Sequence, residues 1–205
     1  MFFMKISIIS GSHRANSQSL KVSNYISSRA QVAGFESSQV ISLSNNPLPL
    51  WDEEMWSENP NKWHQLWSPI AEKLKNSDAF AIVAPEWAGM APAGLKNLFL
   101  LCDHEEVGHK PALLVAVSSG IGGSYPIAEL RASSYKNNRI LYIPEHIIVR
   151  NVENMLNAQT PSNDHDQSIR ERIDYTLKIL FHYSIALKQV RQSGVLDYEK
   201  FPYGM

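Results

Sequence analysis

The chain has 205 residues, 44% hydrophobic and 19% charged, enough to fill one core and too apolar for a disordered chain. Nineteen Lys and Arg against twenty Asp and Glu leave a formal charge of −1, so no basic field points to nucleic acid or an anionic membrane surface. The one cysteine, Cys102, cannot close an internal disulfide or build a Cys-rich metal site, which fits a reducing compartment.

The N-terminal MFFMKISIIS is apolar but too short for a signal peptide, and no run approaches the 18 apolar residues of a membrane span. A cytoplasmic protein is therefore expected. No linker or repeat divides it, so residues 1–205 are read as one domain, with a tail from about 193 to 205 that shows no period.

Short apolar blocks alternate with helical periods. Residues 4–10 read as a strand and 17–33 as a helix stopping near Gly34. A strand at 39–43 leads into a loop from Ser44 to about Asn61, with Pro47, Pro49, Pro60, Trp51 and Trp56. Residues 61–76 predict one helix, because Trp63, Leu66, Trp67, Ile70, Ala71 and Leu74 form a continuous stripe. Ala79–Ala84 and Ala112–Ser118 are wholly apolar, as strands buried on both faces of a parallel sheet are. Helices are expected at 95–105, 125–137 and 166–191, and a last strand, interrupted by Pro144, between Arg139 and Arg150. This order implies an α/β fold, a doubly wound parallel sheet with helices on both faces. Five strands suit the flavodoxin-like order 2-1-3-4-5.

In such a sheet ligands bind beyond the carboxyl ends of the strands, beside the switch in strand order. The loop after the first strand, Ser10 to Ser19, brings Ser12, Arg14, Ser17, Gln18 and Ser19 to a helix N-terminus, where hydroxyls, N–H groups and a guanidinium suit an anion. The serines equally suit simple capping. Neither Gly-x-Gly-x-x-Gly nor a Gly-Lys-Ser/Thr ending is present, which disfavours dinucleotide and triphosphate binding there. The loop after the third strand, Pro85-Glu86-Trp87-Ala88-Gly89-Met90-Ala91-Pro92, has the stiffness to press its backbone on a flat ligand. After the fourth strand, Ser118-Ser119-Gly120-Ile121-Gly122-Gly123 keeps its side chains small. Together the loops describe a slot with a phosphate anchor at one end and two low walls, the shape of flavin mononucleotide (FMN).

At these residues the sequence resembles the NADPH-dependent FMN reductase family of quinone, azo-dye and chromate reductases. Gly11, Ser12, Arg14 and Ser17 match Gly-Ser-x-Arg-x-x-Ser. Pro85, Glu86, Trp87, Pro92, Leu95, Lys96 and Asn97 follow Pro-Glu-Tyr-Asn-x-x-x-Pro-x-x-Leu-Lys-Asn, and the Leu48–Asp52 segment is also similar. The likeness spans roughly residues 4–150. It implies that Ser12, Arg14, Ser17 and Ser19 hold the FMN phosphate, with Gln18 beside them. Pro85, Glu86 and Trp87 would meet the ring edge largely through backbone, with Ala88 and Gly89 next to it, and Ser119, Gly120 and Gly123 would line its other side. Trp87 stands for the family's Tyr and Ala88 for its Asn, so an amide near the ring is missing.

The implied reaction passes a hydride from NADPH or NADH to FMN and then electrons to a small acceptor such as a quinone, azo compound or free flavin. The cofactor supplies this chemistry, so no catalytic side chain and no metal are expected. The alternative is a non-catalytic FMN-binding electron carrier or sensor, for which the balanced charge lacks the usual acidic surface. The resemblance also implies a homodimer or homotetramer. Among remaining residues, His13 either charges the anion loop or packs locally, and His104, Glu105, Glu106 and His109 lack the spacing of a helical metal pair. Cys102 and the Trp63/Trp67 stripe read as core, while Trp51 and Trp56 border either the ring or a neighbouring subunit.

Overall fold

The computed structural model describes residues 3–45, 48–57 and 61–204; Pro47 and Pro60 of the expected loop lie outside these. Five strands, β1 (Lys5–Ser10), β2 (Ser37–Ser42), β3 (Ala79–Pro85), β4 (Pro111–Val117) and β5 (Leu141–Val149), form one sheet in the order β2-β1-β3-β4-β5. Every pairing is parallel. The helices are α1 (Gln18–Ala33), α2 (Asn61–Leu66), α3 (Ser68–Lys75), α4 (Ala93–Leu101), α5 (His104–Val107), α6 (Ser124–Ala132) and α7 (Asp164–Gln192).

The sheet separates two cores. On one face Val22, Ile26 and Ala30 of α1 meet Ile173, Leu177 and Leu180 of α7. On the other, Trp63, Trp67 and Leu74 pack with Leu95 and Leu98 of α4 and Ile127 and Leu130 of α6. β3 and β4 are buried along their whole length, because helices cover both of their faces. Each fully buried Leu or Ile there is worth about 1.5–3 kcal/mol of transfer free energy.

Three elements differ in kind from expectation, and α6 ends at Ala132, short of the expected 137. The helix at 61–76 breaks into α2 and α3 around Trp67, because Pro69 in the first turn of α3 has no N–H for a continuing helix. The stripe survives the break: Trp63, Trp67, Ala71 and Leu74 are buried, while Leu66 is exposed. The helix at 95–105 also divides, since Cys102 is extended and Asp103 opens α5 with a capping box closed by Glu106. That box explains Glu106, which is buried. The last strand carries Pro144 on the sheet edge at a register shift in which Ala112 and Leu114 pair with Tyr142 and His146. The carbonyls of Ile143 and Pro144 accept from Arg131 at 2.7 and 2.9 Å.

The tail runs to the amino ends of the strands. Tyr198 stacks on His104 with ring centroids 3.9 Å apart, and Arg139 donates to the carbonyls of Phe201 and Pro202. No helix among the described residues is long and apolar enough to cross a membrane.

Candidate functional site

The site grows from the carboxyl ends of β1, β3 and β4, which lie side by side. Gly11 extends the β1–β3 pairing, donating to Val83 O at 2.8 Å. A Cβ there would sit 2.8 Å from Leu95 Cδ2, so only glycine lets the chain leave the strand against α4. The loop is then held from β2: Asn45 N donates to His13 O at 3.1 Å and Ser44 Oγ to Arg14 O at 3.3 Å.

Ser17 is the N-cap of α1, its Oγ accepting from Leu20 N at 3.2 Å. The capping role is therefore real, though a hydroxyl so used still has a proton to donate. Ser12 and Ser19 are almost fully buried. The first turn of α1 has no acidic residue to offset the positive end of its dipole. Arg14 is exposed and, among the described residues, bonds through its backbone alone. A cation, three hydroxyls and a bare helix end thus converge; Glu86 and Glu153 border the same cavity, but among the described residues Arg14 makes no ion pair.

The second loop is a two-residue turn. Trp87 and Met90 exchange backbone hydrogen bonds of 3.1 and 3.0 Å, with Ala88 at φ +49 and Gly89 at φ +72 between them. Glu86 N is bonded to Val117 O, so the N–H groups of Glu86 and Trp87 are both used within the protein. Among the described residues, those of Ala88, Gly89 and Ser119 have no partner.

Glu86 joins the second loop to the third. Its Oε2 accepts from Gly123 N at 2.7 Å, and a Cβ on Gly122 would collide with its Oε1. Gly123 opens α6 at φ +109, and a Cβ on it would run into Ile148. From the opposite side Arg150 Nε donates to the carbonyls of Ile121 and Gly122 at 2.7 and 3.1 Å. Gly122 and Gly123 thus serve close packing, whereas a Cβ on Gly120 would meet nothing, and Gly123 spends its N–H on Glu86.

Two motif residues brace the loops from behind. Lys96 pairs with Glu129 Oε1 at 2.6 Å, while Glu129 Oε2 accepts from Ala91 N at 2.7 Å. That ion pair lowers the Glu129 carboxyl below its usual value; burial opposes it and the Ala91 bond adds to it. Asn97, buried, accepts from Trp51 N and donates to Pro49 O, both at 2.7 Å, which seats the 48–52 segment on α4. Trp51 and Trp56 meet edge to face there, with centroids 4.9 Å apart. Cys102 is buried in apolar surroundings, and burial pushes its thiol well up, as a small core residue.

Ser12, Arg14, Ser17, Gln18, Ser19, Pro85, Glu86, Trp87 and Ser119 line one cavity of about 110 Å³. Ala88, Gly89, Gly120 and Gly123 lie in the adjoining turns outside it. Asn16, Val117, Val152 and Glu153 also line it. The last two come from the turn after β5, which sequence reading passed over because neither belongs to a motif or follows a strand next to the switch point. His13 packs edge-on against Trp87, centroids 4.7 Å apart and rings at 83°, so it couples the first loop to the second.

The family model for NADPH-dependent FMN reductase matches residues 4–154, about three quarters of the chain. The chain belongs to the NADPH-dependent FMN reductase family. It is an FMN-dependent NAD(P)H oxidoreductase. Solved structures agree on the fold. The flavoenzyme NAD(P)H:(acceptor) oxidoreductase FerB of Paracoccus denitrificans superposes with a TM-score of 0.66 at 17% identity, covering 88% of this chain and 98% of its own. The NAD(P)H:quinone oxidoreductase of Methanothermobacter marburgensis gives 0.59 at 16%, covering 87% and 100%. An FMN-dependent NADH-azoreductase of Bacillus anthracis str. Ames Ancestor, solved with FMN, gives 0.55 at 16%, covering 87% and 99%.

The residues of this reductase fit its cofactor. Arg14, which makes no ion pair among the described residues, together with buried Ser12 and Ser19 at the N-terminus of α1, is a donor set suited to a phosphate monoester. A cavity of about 110 Å³ is small beside the roughly 300–1,000 Å³ that engulfs a whole drug-sized ligand. It suits a terminal group whose remainder lies over the neighbouring turns.

Proposed function

We propose that the sheet and its helices act as one FMN-binding domain in which Ser12, Arg14, Ser17, Gln18 and Ser19 hold the phosphate. The Pro85–Gly89 segment then flanks one side of the flavin, and the loop of Ser119, Gly120 and Gly123 the other. The observation that carries this reading is Arg14, placed in the cradle with a guanidinium that has no partner among the described residues.

Bound FMN supplies the redox chemistry, taking a hydride from NADPH or NADH and passing electrons on to an acceptor. The chain's own part is positioning and electrostatics. The unpartnered N–H groups of Ala88, Gly89 and Ser119 are fixed dipoles beside the cradle, suited to stabilising negative charge. Glu86 and Arg150 keep the third loop from moving against the second. Met90, Ile121 and Tyr125 are exposed along these turns, an apolar rim that favours a flat, weakly charged acceptor such as a quinone, an azo compound or a free flavin. A second copy of the chain, in a homodimer or homotetramer, would cover this rim and complete the enclosure that the small cavity lacks.

The test is a visible spectrum of protein loaded with FMN and desalted, followed by anaerobic NADPH and then a quinone. Retained flavin that bleaches with NADPH and recovers its colour with quinone is the expected result. Retained flavin that NADPH leaves oxidised would overturn the assignment.

A further inference from the structure

A second cavity, of about 550 Å³, opens at the amino ends of the strands, the end of the sheet opposite the phosphate cradle. Its walls are largely apolar, from Tyr135, Ile140, Leu141 and Tyr142, and three cations, Arg131, Lys136 and Arg139, line it. The volume falls within the range of small-molecule sites.

Among the described residues, none of these cations is paired with a carboxylate. Arg131 spends one amino group on the carbonyls exposed by the register shift in β5, and Arg139 uses its guanidinium on the carbonyls of Phe201 and Pro202. Carbonyls satisfy N–H groups but leave the unit charge in place. Lys136 is exposed and its ammonium has no partner among the described residues. None of the ion pairs among those residues involves any of the three. His109, also in the lining, is held below the usual imidazole value, first by burial and then by Arg139 and Arg191, as a positive field requires.

The tail makes part of the enclosure. Arg139 stacks over Tyr198 at 5.0 Å while it grips the tail carbonyls, and Gly204 lies so close to Lys136 O that a Cβ there would collide.

We propose that this cavity binds a small aromatic carboxylate. The ring rests against Tyr135 and Leu141, and the carboxylate lies among Arg131, Lys136 and Arg139. A planar carboxylate matches the guanidinium fork, and the apolar walls add what a bare inorganic anion cannot use.

The test uses the full chain saturated with FMN, so that the phosphate cradle is filled, and calorimetric titration with benzoate, benzamide and inorganic phosphate. Benzoate should bind, with benzamide and phosphate each at least tenfold weaker. Lys136→Gln should weaken benzoate about tenfold, the loss of one charge-assisted contact. Among the described residues Lys136 Nζ makes no bond, so melting temperature and NADPH oxidation should be unchanged in that variant. No benzoate binding at millimolar concentration, equal binding of benzamide or phosphate, or an unaltered affinity in Lys136→Gln would each overturn the proposal.

Discussion

The turn between Trp87 and Met90 places an alanine where the backbone is left-handed. Ala88 at φ +49 followed by Gly89 at φ +72 is the geometry of a type I′ turn, for which Asn-Gly is the favoured pair. An L-residue with a Cβ is strained there by about 1–2 kcal/mol, and Asn tolerates the region because its side chain bonds locally. Ala88→Gly removes the strain but loosens the unfolded chain by about 0.4–1 kcal/mol, leaving a net stabilisation of about 0.5–1 kcal/mol. At about 2–4 °C per kcal/mol for a chain of this size, the melting temperature should rise by about 1–4 °C. Ala88→Asn should stabilise by a similar amount without the entropic loss. Urea unfolding of both variants, with FMN affinity measured beside it, separates two readings of the family's Asn. If it serves the turn, both variants gain stability and keep the same flavin affinity and spectrum. A variant pair that gains no stability, or in which Asn alone alters the flavin spectrum, would refute the turn argument and restore a role for the amide at the ring.

Two further predictions concern the residues behind the loops. Asn97→Ala leaves Trp51 N–H and Pro49 C=O without partners and should lower unfolding stability by about 2–4 kcal/mol; a change below the error of a urea titration would contradict the clamp. Glu129 has a folded pKa lowered from 4.5, so its stabilisation is present above that value and is lost as pH falls through the lower folded value. Glu129→Gln should therefore be less stable than the parent at neutral pH and show a shallower loss below pH 4.5, checked by urea midpoints against pH. Parallel curves would show that the Lys96–Glu129 pair does not link α4 to α6 as described.

The sheet was legible because β3 and β4 are continuous apolar runs and the strands end in glycine- or proline-rich loops, a pattern that permits few other arrangements. The breaks in the helices were less visible. Periodicity at 61–76 reports which side faces the core, and that side stays buried across the kink at Pro69, so the stripe alone cannot show it. Asp103 and Glu106 carried a readable capping signal, hidden by the apolar run before them. In the site, the first loop was readable as a cluster because hydroxyls and a guanidinium gather at one helix start and line one cavity there, although Ser17 also caps that helix. The second and third loops were not: Glu86 turns its carboxylate into the protein, and Gly122 and Gly123 are small because Glu86 and Ile148 press on them, a fact of tertiary packing. Val152 and Glu153 reach the cradle only because the chain turns back after β5.

The most direct measurement is the affinity of the flavin-free protein for FMN and for riboflavin, which lacks the phosphate, in the parent and in Arg14→Ala. The account predicts that FMN binds far more tightly than riboflavin to the parent. Arg14→Ala should weaken FMN by about ten- to a hundredfold, the worth of one hydrogen bond to a charged group, and leave riboflavin unchanged. Equal affinities for the two flavins, or FMN binding indifferent to Arg14, would contradict the phosphate cradle at α1.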